Sequence, residues 1–168
     1  MFWRQNRSSR RQILPLGAIA LLLAVSCGRG DRHQSSMVAE KSTAPVTREV
    51  LAQGKPGGEP CRVLELVRYT IAAGVKLPPH THPGMQIGTV KSGVLTYQVV
   101  EGESKITRGK DGSVETLHTG AQTKLYAGDS LVEPEAMVHF GQNDGSEPVV
   151  LLSSSLFACD RPPSQILE

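Results

Sequence analysis

The sequence predicts an all-β domain, built as a small barrel or sandwich. Three observations carry this expectation. Short stretches rich in Val, Ile, Leu, Thr and Tyr recur from about residue 49 onward. Turn formers such as Gly102, Asp111-Gly112 and Asp144-Gly145 separate them. Long helical periodicity is absent, and many short strands at close spacing are the mark of a closed or two-layered β-structure.

The expected strands are 62–71, 84–90, 94–100, 113–118, 123–126, 130–133, 138–141 and 149–156. Asp111-Gly112 is the strongest hairpin signal, and Arg108-Gly109-Lys110 before it makes the loop longer than two residues. Beyond the N-terminal segment the aromatic residues are Tyr69, Tyr97, Tyr126, Phe140 and Phe157. The core must therefore rest on Val, Leu and Ile. So few aromatic residues argue against single-stranded nucleic-acid binding on stacked platforms. Residues 161–168 include two prolines and are expected to lie outside the core as a C-terminal tail.

Residues 1–27 read as an export segment. Arg4, Arg7, Arg10 and Arg11 come first, with no acidic residue. An apolar run over 13–25 follows, interrupted only by Pro15 and Gly17 and too short for a comfortable membrane span. Ser9-Arg10-Arg11-Gln12-Ile13-Leu14 resembles a twin-arginine signal, although ordinary signal peptides also carry arginine pairs. Ala24-Val25-Ser26-Cys27 resembles a bacterial lipobox, with alanine in place of the usual leucine at 24. A lipid on Cys27 would tie the protein to a membrane surface without spanning it. The chain has 18 basic and 16 acidic residues. Without those four arginines the remainder is slightly acidic, so the basicity belongs to targeting and gives no case for nucleic-acid binding. Residues 28–48 are small and polar and read as a flexible linker, leaving 49–160 for the folded domain.

Cys61 and Cys159 stand outside any C-x-x-C spacing, which argues against a cysteine metal site. In an oxidising compartment they either form a disulfide closing a long loop or remain two buried thiols.

Histidine placement carries the chemistry. In Gly74-Val-Lys-Leu-Pro-Pro-His80-Thr-His82-Pro-Gly-Met-Gln86, two histidines lie two apart. On extended chain they share one face, and Gln86 shares it if the extension continues. Three polar side chains on an inner β-face are costly unless something satisfies them, and a metal ion does so. A second segment, from Gly128 through Pro134 to His139 and Asn143, supplies a third imidazole. A bend at Pro134 would bring His139 across the barrel from His80 and His82. His118 lies between the segments and reads as structural or exposed. Tyr97 reads as a half-buried strand tyrosine, with a place in the cavity as the alternative. Glu133 and Glu135 flank Pro134, where glutamates usually face solvent, although either could supply a carboxylate.

These two segments resemble the paired motifs of the cupin superfamily. Gly74, His80, His82 and Gly93 match G-x5-H-x-H-x3,4-E-x6-G, and Gly128, Pro134, His139 and Asn143 match G-x5-P-x-G-x2-H-x3-N. The matched span runs over residues 74–143. The resemblance implies a jelly-roll-like cupin barrel with an internal divalent transition metal (Fe, Mn, Ni, Cu, Co or Zn) held by His80, His82, Gln86 and His139. Two positions depart from the pattern. Gln86 replaces the glutamate; it can still offer an oxygen but brings no negative charge. Ala136 replaces a glycine, a mild change if its φ is negative. Gln86 as a ligand, a site of three histidines alone, and three histidines holding an organic ligand without metal all remain open.

Cupins include dioxygenases, isomerases, decarboxylases, sugar-binding modules and sensors, so the resemblance does not select one reaction. It implies a small-molecule ligand or substrate and allows a homodimer. The expected function is a small metal-dependent enzyme of the cell envelope, dioxygenase- or isomerase-like, because no dedicated nucleophile stands out. The alternative is a non-catalytic small-molecule or metal sensor tethered through Cys27.

Overall fold

The computed structural model describes residues 44–59 and 61–167. The expected export segment, the Cys27 anchor and most of the expected linker lie outside the described residues.

Twelve strands are present: β1 (Val46–Gly54), β2 (Arg62–Ile71), β3 (His80–Thr81), β4 (Gly84–Ser92), β5 (Val94–Glu101), β6 (Glu103–Thr107), β7 (Val114–His118), β8 (Gln122–Tyr126), β9 (Ser130–Glu133), β10 (Val138–Gln142), β11 (Val149–Ala158) and β12 (Gln165–Ile166). They form a seven-stranded sheet in the order β1-β2-β11-β4-β9-β6-β7 and a five-stranded sheet in the order β12-β3-β10-β5-β8. All pairings are antiparallel. This is the expected all-β jelly-roll barrel.

Alternation along the strands builds the core. On β11, Val149, Leu151, Ser153, Ser155 and Phe157 turn inward while their neighbours are more exposed. Ile71, Val90, Leu95, Val99, Ile106, Leu117, Leu125 and Leu131 meet them from other strands. Aliphatic residues thus fill most of the space between the sheets, as the composition requires.

The expected strands are all present, and four more lie where none was expected. β1 starts at Val46, inside the segment read as linker, with Val46 opposite Ile71. Thr47, Arg48 and Glu49 look like linker residues, yet charged side chains are ordinary on an edge strand, which has a free flank. β6 carries one large apolar residue, Ile106, too few to show a period. β3 and β12 are two residues each. β12 lies in the segment expected as a tail outside the core: its residues are exposed, yet Gln165 and Ile166 pair with Thr81 and His80, and the Leu167 amide donates to the Pro79 carbonyl at 2.9 Å. Pro162 and Pro163 stand just before the strand and disguise this return.

Asn143 holds a turn. It is 1% exposed; its amide donates to the carbonyls of Ile71, Ala72 and Glu147, and its Oδ1 accepts from the Gly145 amide. The Asp111-Gly112 turn joins β6 to β7, with the Arg108 amide donating to Ser113 across a loop longer than two residues.

Ala136 overturns the condition set for it. Its φ is +65°, the left-handed region that a side chain makes costly. It sits in the turn where Met137 donates to the Pro134 carbonyl, and its own amide donates to the His82 carbonyl at 3.3 Å. Ala136→Gly is therefore expected to raise stability by about 1 kcal/mol, offset in part by the freer unfolded chain. Denaturant titration of both proteins would check this, and a destabilised variant would refute it.

Candidate metal centre

The three histidines converge. His80 on β3 is directly opposite His139 on β10, and His82 follows β3 immediately. Ring centroids lie 4.5 Å apart for His80–His139 and 5.1 Å for the other two pairs. One nitrogen from each ring falls within a set whose members lie no more than 4.8 Å apart, a group that could hold a metal ion. His139 is not across the barrel from the others, as the sequence suggested. It is their neighbour in the five-stranded sheet, because β3 is a short strand laid along β10.

Two backbone carbonyls orient the imidazoles. His80 Nδ1 is 2.8 Å from the Pro78 carbonyl, and His82 Nδ1 is 2.7 Å from the Pro163 carbonyl. A carbonyl only accepts, so each Nδ1 carries a proton, and in the neutral ring Nε2 is the nitrogen left to ligate. Such outer contacts are how proteins set the tautomer and aim of a ligand histidine. His82 also stacks on Phe157 at 5.2 Å. Burial, together with the neighbouring His139, pushes His80 down to about 4. It is therefore neutral, the form that ligates, throughout the physiological range.

Pro163 was expected in a loose tail, yet it supplies the acceptor that aims His82. Truncation after Cys159 should therefore weaken metal binding about 10–100-fold, the usual effect of losing an outer-sphere partner. Competition with a chromophoric chelator measures this, and unchanged affinity would deny the tail this role.

The opposite sheet contributes Gln86 on β4 and Glu133 at the end of β9, which face each other in register. Gln86 is 8% exposed and Glu133 is 3% exposed. Gln86 Nε2 donates to Glu133 Oε2 at 2.7 Å, while Gln86 Oε1 is buried without a partner. Tyr97 on β5 donates its hydroxyl to Glu133 Oε1 at 3.1 Å. Glu133 Oε1 lies 3.0 Å from His139 Nε2, and Oε2 lies 3.5 Å from His82 Nε2. Burial pushes the Glu133 carboxyl up, but the charge and hydrogen bonds of His139 and His82 outweigh it and hold the group well below the usual carboxylate range. Burial and the Glu133 charge raise Tyr97 well above the usual phenol range, so it remains a donor.

Glu133 and Tyr97 are the site residues that local sequence reading undervalued. Glu135 keeps the expected exposed position and pairs with Arg62. Glu133, two residues earlier, faces inward on β9. The available signal was the alternation of 130–133, which puts Leu131 and Glu133 on one face. His118 is 72% exposed by side chain and stands apart from the cluster.

A cavity of about 200 Å³ opens over these groups. Ile71, Leu77, Leu95 and Leu151 supply apolar wall, and Arg48 and Tyr69 line it as well. The residues fit a divalent transition metal: two imidazoles have fixed tautomers, one buried carboxylate stands beside them, and one buried amide oxygen lacks a partner.

Residues 67–155 match the cupin domain family. Germin-like protein subfamily 1 member 4 of Arabidopsis thaliana is 35% identical over 92 residues, covering 54% of this chain and 36% of that protein. Germin-like protein 8-14 of Oryza sativa subsp. japonica is 27% identical over 152 residues, covering 85% of this chain and 62% of that protein. The chain spans about a third of the length of several curated relatives it matches. Among solved structures, a cupin superfamily protein from Desulfitobacterium hafniense superposes with a TM-score of 0.48 at 14% identity, covering 70% of this chain and 83% of the other. With both histidine motifs inside a match that takes in more than half of its residues, the chain belongs to the cupin domain family.

Proposed function

We propose that this cupin is a small metal-dependent enzyme of the cell envelope, with His80, His82 and His139 as imidazole ligands and Gln86 beside them. One observation carries the reading: three converging imidazoles, two of them aimed by proline carbonyls, at a cavity sized for a small molecule.

A divalent transition ion bound there supplies Lewis acidity toward an oxygen donor of a small organic substrate. The chain's own residues do the rest. Ile71, Leu77, Leu95 and Leu151 exclude water from the cavity and select a compact substrate. Tyr97 retains its proton and holds Glu133 in place. Dioxygenase-like and isomerase-like reactions both suit a site that binds an oxygen donor.

Placement in the envelope rests on the export-like residues 1–27 and the lipobox-like Cys27. The Cys61–Cys159 disulfide supports it, since such crosslinks persist in oxidising compartments.

The test begins with a chain starting at Gly28, loaded in turn with Fe, Mn, Ni, Cu, Co and Zn and assayed by elemental mass spectrometry. About one ion per chain is expected. The loaded protein is then offered small oxygen-donor acids, diketones and sugars, with dioxygen uptake and product formation followed. Turnover supports the enzyme reading. Saturable ligand binding without turnover would assign the tethered sensor role instead, and failure to retain any of the six metals would refute the metal site.

A further inference from the structure

We infer that Glu133, rather than the residue at position 86, is the anionic fourth ligand of this metal site, with Gln86 serving to position it. The inference rests on the metal-binding reading above and deepens it.

The case starts from geometry. Gln86 and Glu133 occupy facing positions on paired strands, so a carboxylate on either strand can reach the same space. The motif carries its carboxylate on the first of these strands; this chain has an amide there and an acid directly opposite. Ligand atoms about 2.1 Å from one ion lie about 3.0 Å apart at right angles and about 3.4 Å apart at tetrahedral angles. Glu133 oxygens stand 3.0 Å from His139 Nε2 and 3.5 Å from His82 Nε2, the spacing expected of ligands that share an ion.

Hydrogen bonding points the same way. His82 has committed its Nδ1 proton to Pro163 and turns Nε2 toward the Glu133 carboxylate. An imidazole nitrogen and a carboxylate oxygen so placed share a cation, either a proton or a metal ion. Glu133 is buried, and its ion-pair partners among the described residues are these two imidazoles, with no Lys or Arg. A carboxylate so placed needs positive charge to offset its lost hydration, and either protons on the facing imidazoles or a divalent ion supplies it. Gln86 meanwhile turns its amide nitrogen to Glu133 Oε2, and Tyr97 donates to Oε1. Each oxygen thus has one donor that fixes its direction and retains capacity for a metal bond.

The experiment compares metal affinity in the wild type, Glu133→Gln, and the swap that combines Glu133→Gln with Gln86→Glu. Chelator competition with Zn and Co gives the affinities, and the visible absorption of the Co-loaded proteins reads the ligand field. Glu133→Gln is expected to lose at least about 100-fold in affinity and to change the Co spectrum. The swap, which keeps one carboxylate facing one amide, should recover affinity to within about tenfold, and it covers the case in which the single variant folds poorly. Affinity within about threefold of wild type in Glu133→Gln, or a loss that the swap does not recover, would overturn the assignment while leaving the three-histidine site intact. A wild-type chain that binds no metal would overturn the proposed function and this assignment together.

Discussion

Replacing both Cys61 and Cys159 by serine is expected to lower the free energy of unfolding by about 4 kcal/mol. The two residues are 98 apart in sequence with Cα atoms 5.2 Å apart. Their crosslink closes a loop that takes in most of the folded domain. In the chain-entropy account, closure of about 100 residues stabilises by about 4–5 kcal/mol, chiefly by limiting the unfolded ensemble. For a domain of this size the thermal midpoint should fall by more than about 10 °C. Denaturant unfolding of the oxidised protein against the double variant measures the difference. A loss below about 1 kcal/mol would show that the ladder between β2 and β11, paired from Val149↔Ile71 to Ala158↔Arg62, holds the ends together unaided.

His139→Ala is expected to abolish stoichiometric metal binding. Its ring lies within 4.5 Å of the His80 ring and 5.1 Å of the His82 ring, and its Nε2 is the imidazole nitrogen nearest to Glu133. With that ring removed, two imidazoles and a carboxylate remain, and affinity should drop by at least about 100-fold. Stability gives a second readout. A metal present at 100 times its dissociation constant stabilises the folded wild type by about 2.7 kcal/mol, and this increment should vanish in the variant. Thermal unfolding with and without added metal tests it. His118→Ala, altered at an exposed histidine remote from the cluster, should bind as the wild type does. Equal metal-dependent stabilisation in His139→Ala would remove this residue from the ligand set.

Much of this molecule was legible in the sequence, and the reasons differ by element. β2 and β9 match their expected spans to the residue, because each is an apolar run bounded by turn formers. The histidine set was legible because two of its members lie on one stretch of chain, where spacing fixes the shared face. The less accessible features all depend on pairing between distant segments. Glu133 faces inward because β9 pairs with β4 in a register that sets it against Gln86, and neither segment alone states that register. The same holds for Tyr97, opposite Gly141 on β10, whose hydroxyl reaches Glu133 from the other sheet. The start of β1 was read as linker, and β12 as tail, because edge strands are short or charged and carry little apolar period. Ala136 shows the reverse limit: the substitution was visible, but its cost turned on a φ that no residue type reports.

The bond from His82 to the Pro163 carbonyl spans 81 residues, and this sets an order on biosynthesis. A chain grows from its N-terminus, so both histidines of the first segment leave the ribosome long before the stretch that aims one of them. Until residues 163–166 emerge, β3 lacks its outer neighbour β12 and the His82 Nδ1 proton has no carbonyl to hold it. A nascent chain therefore presents an unfinished histidine cluster, and the contact that aims His82 forms only after the last strand of the domain has been made.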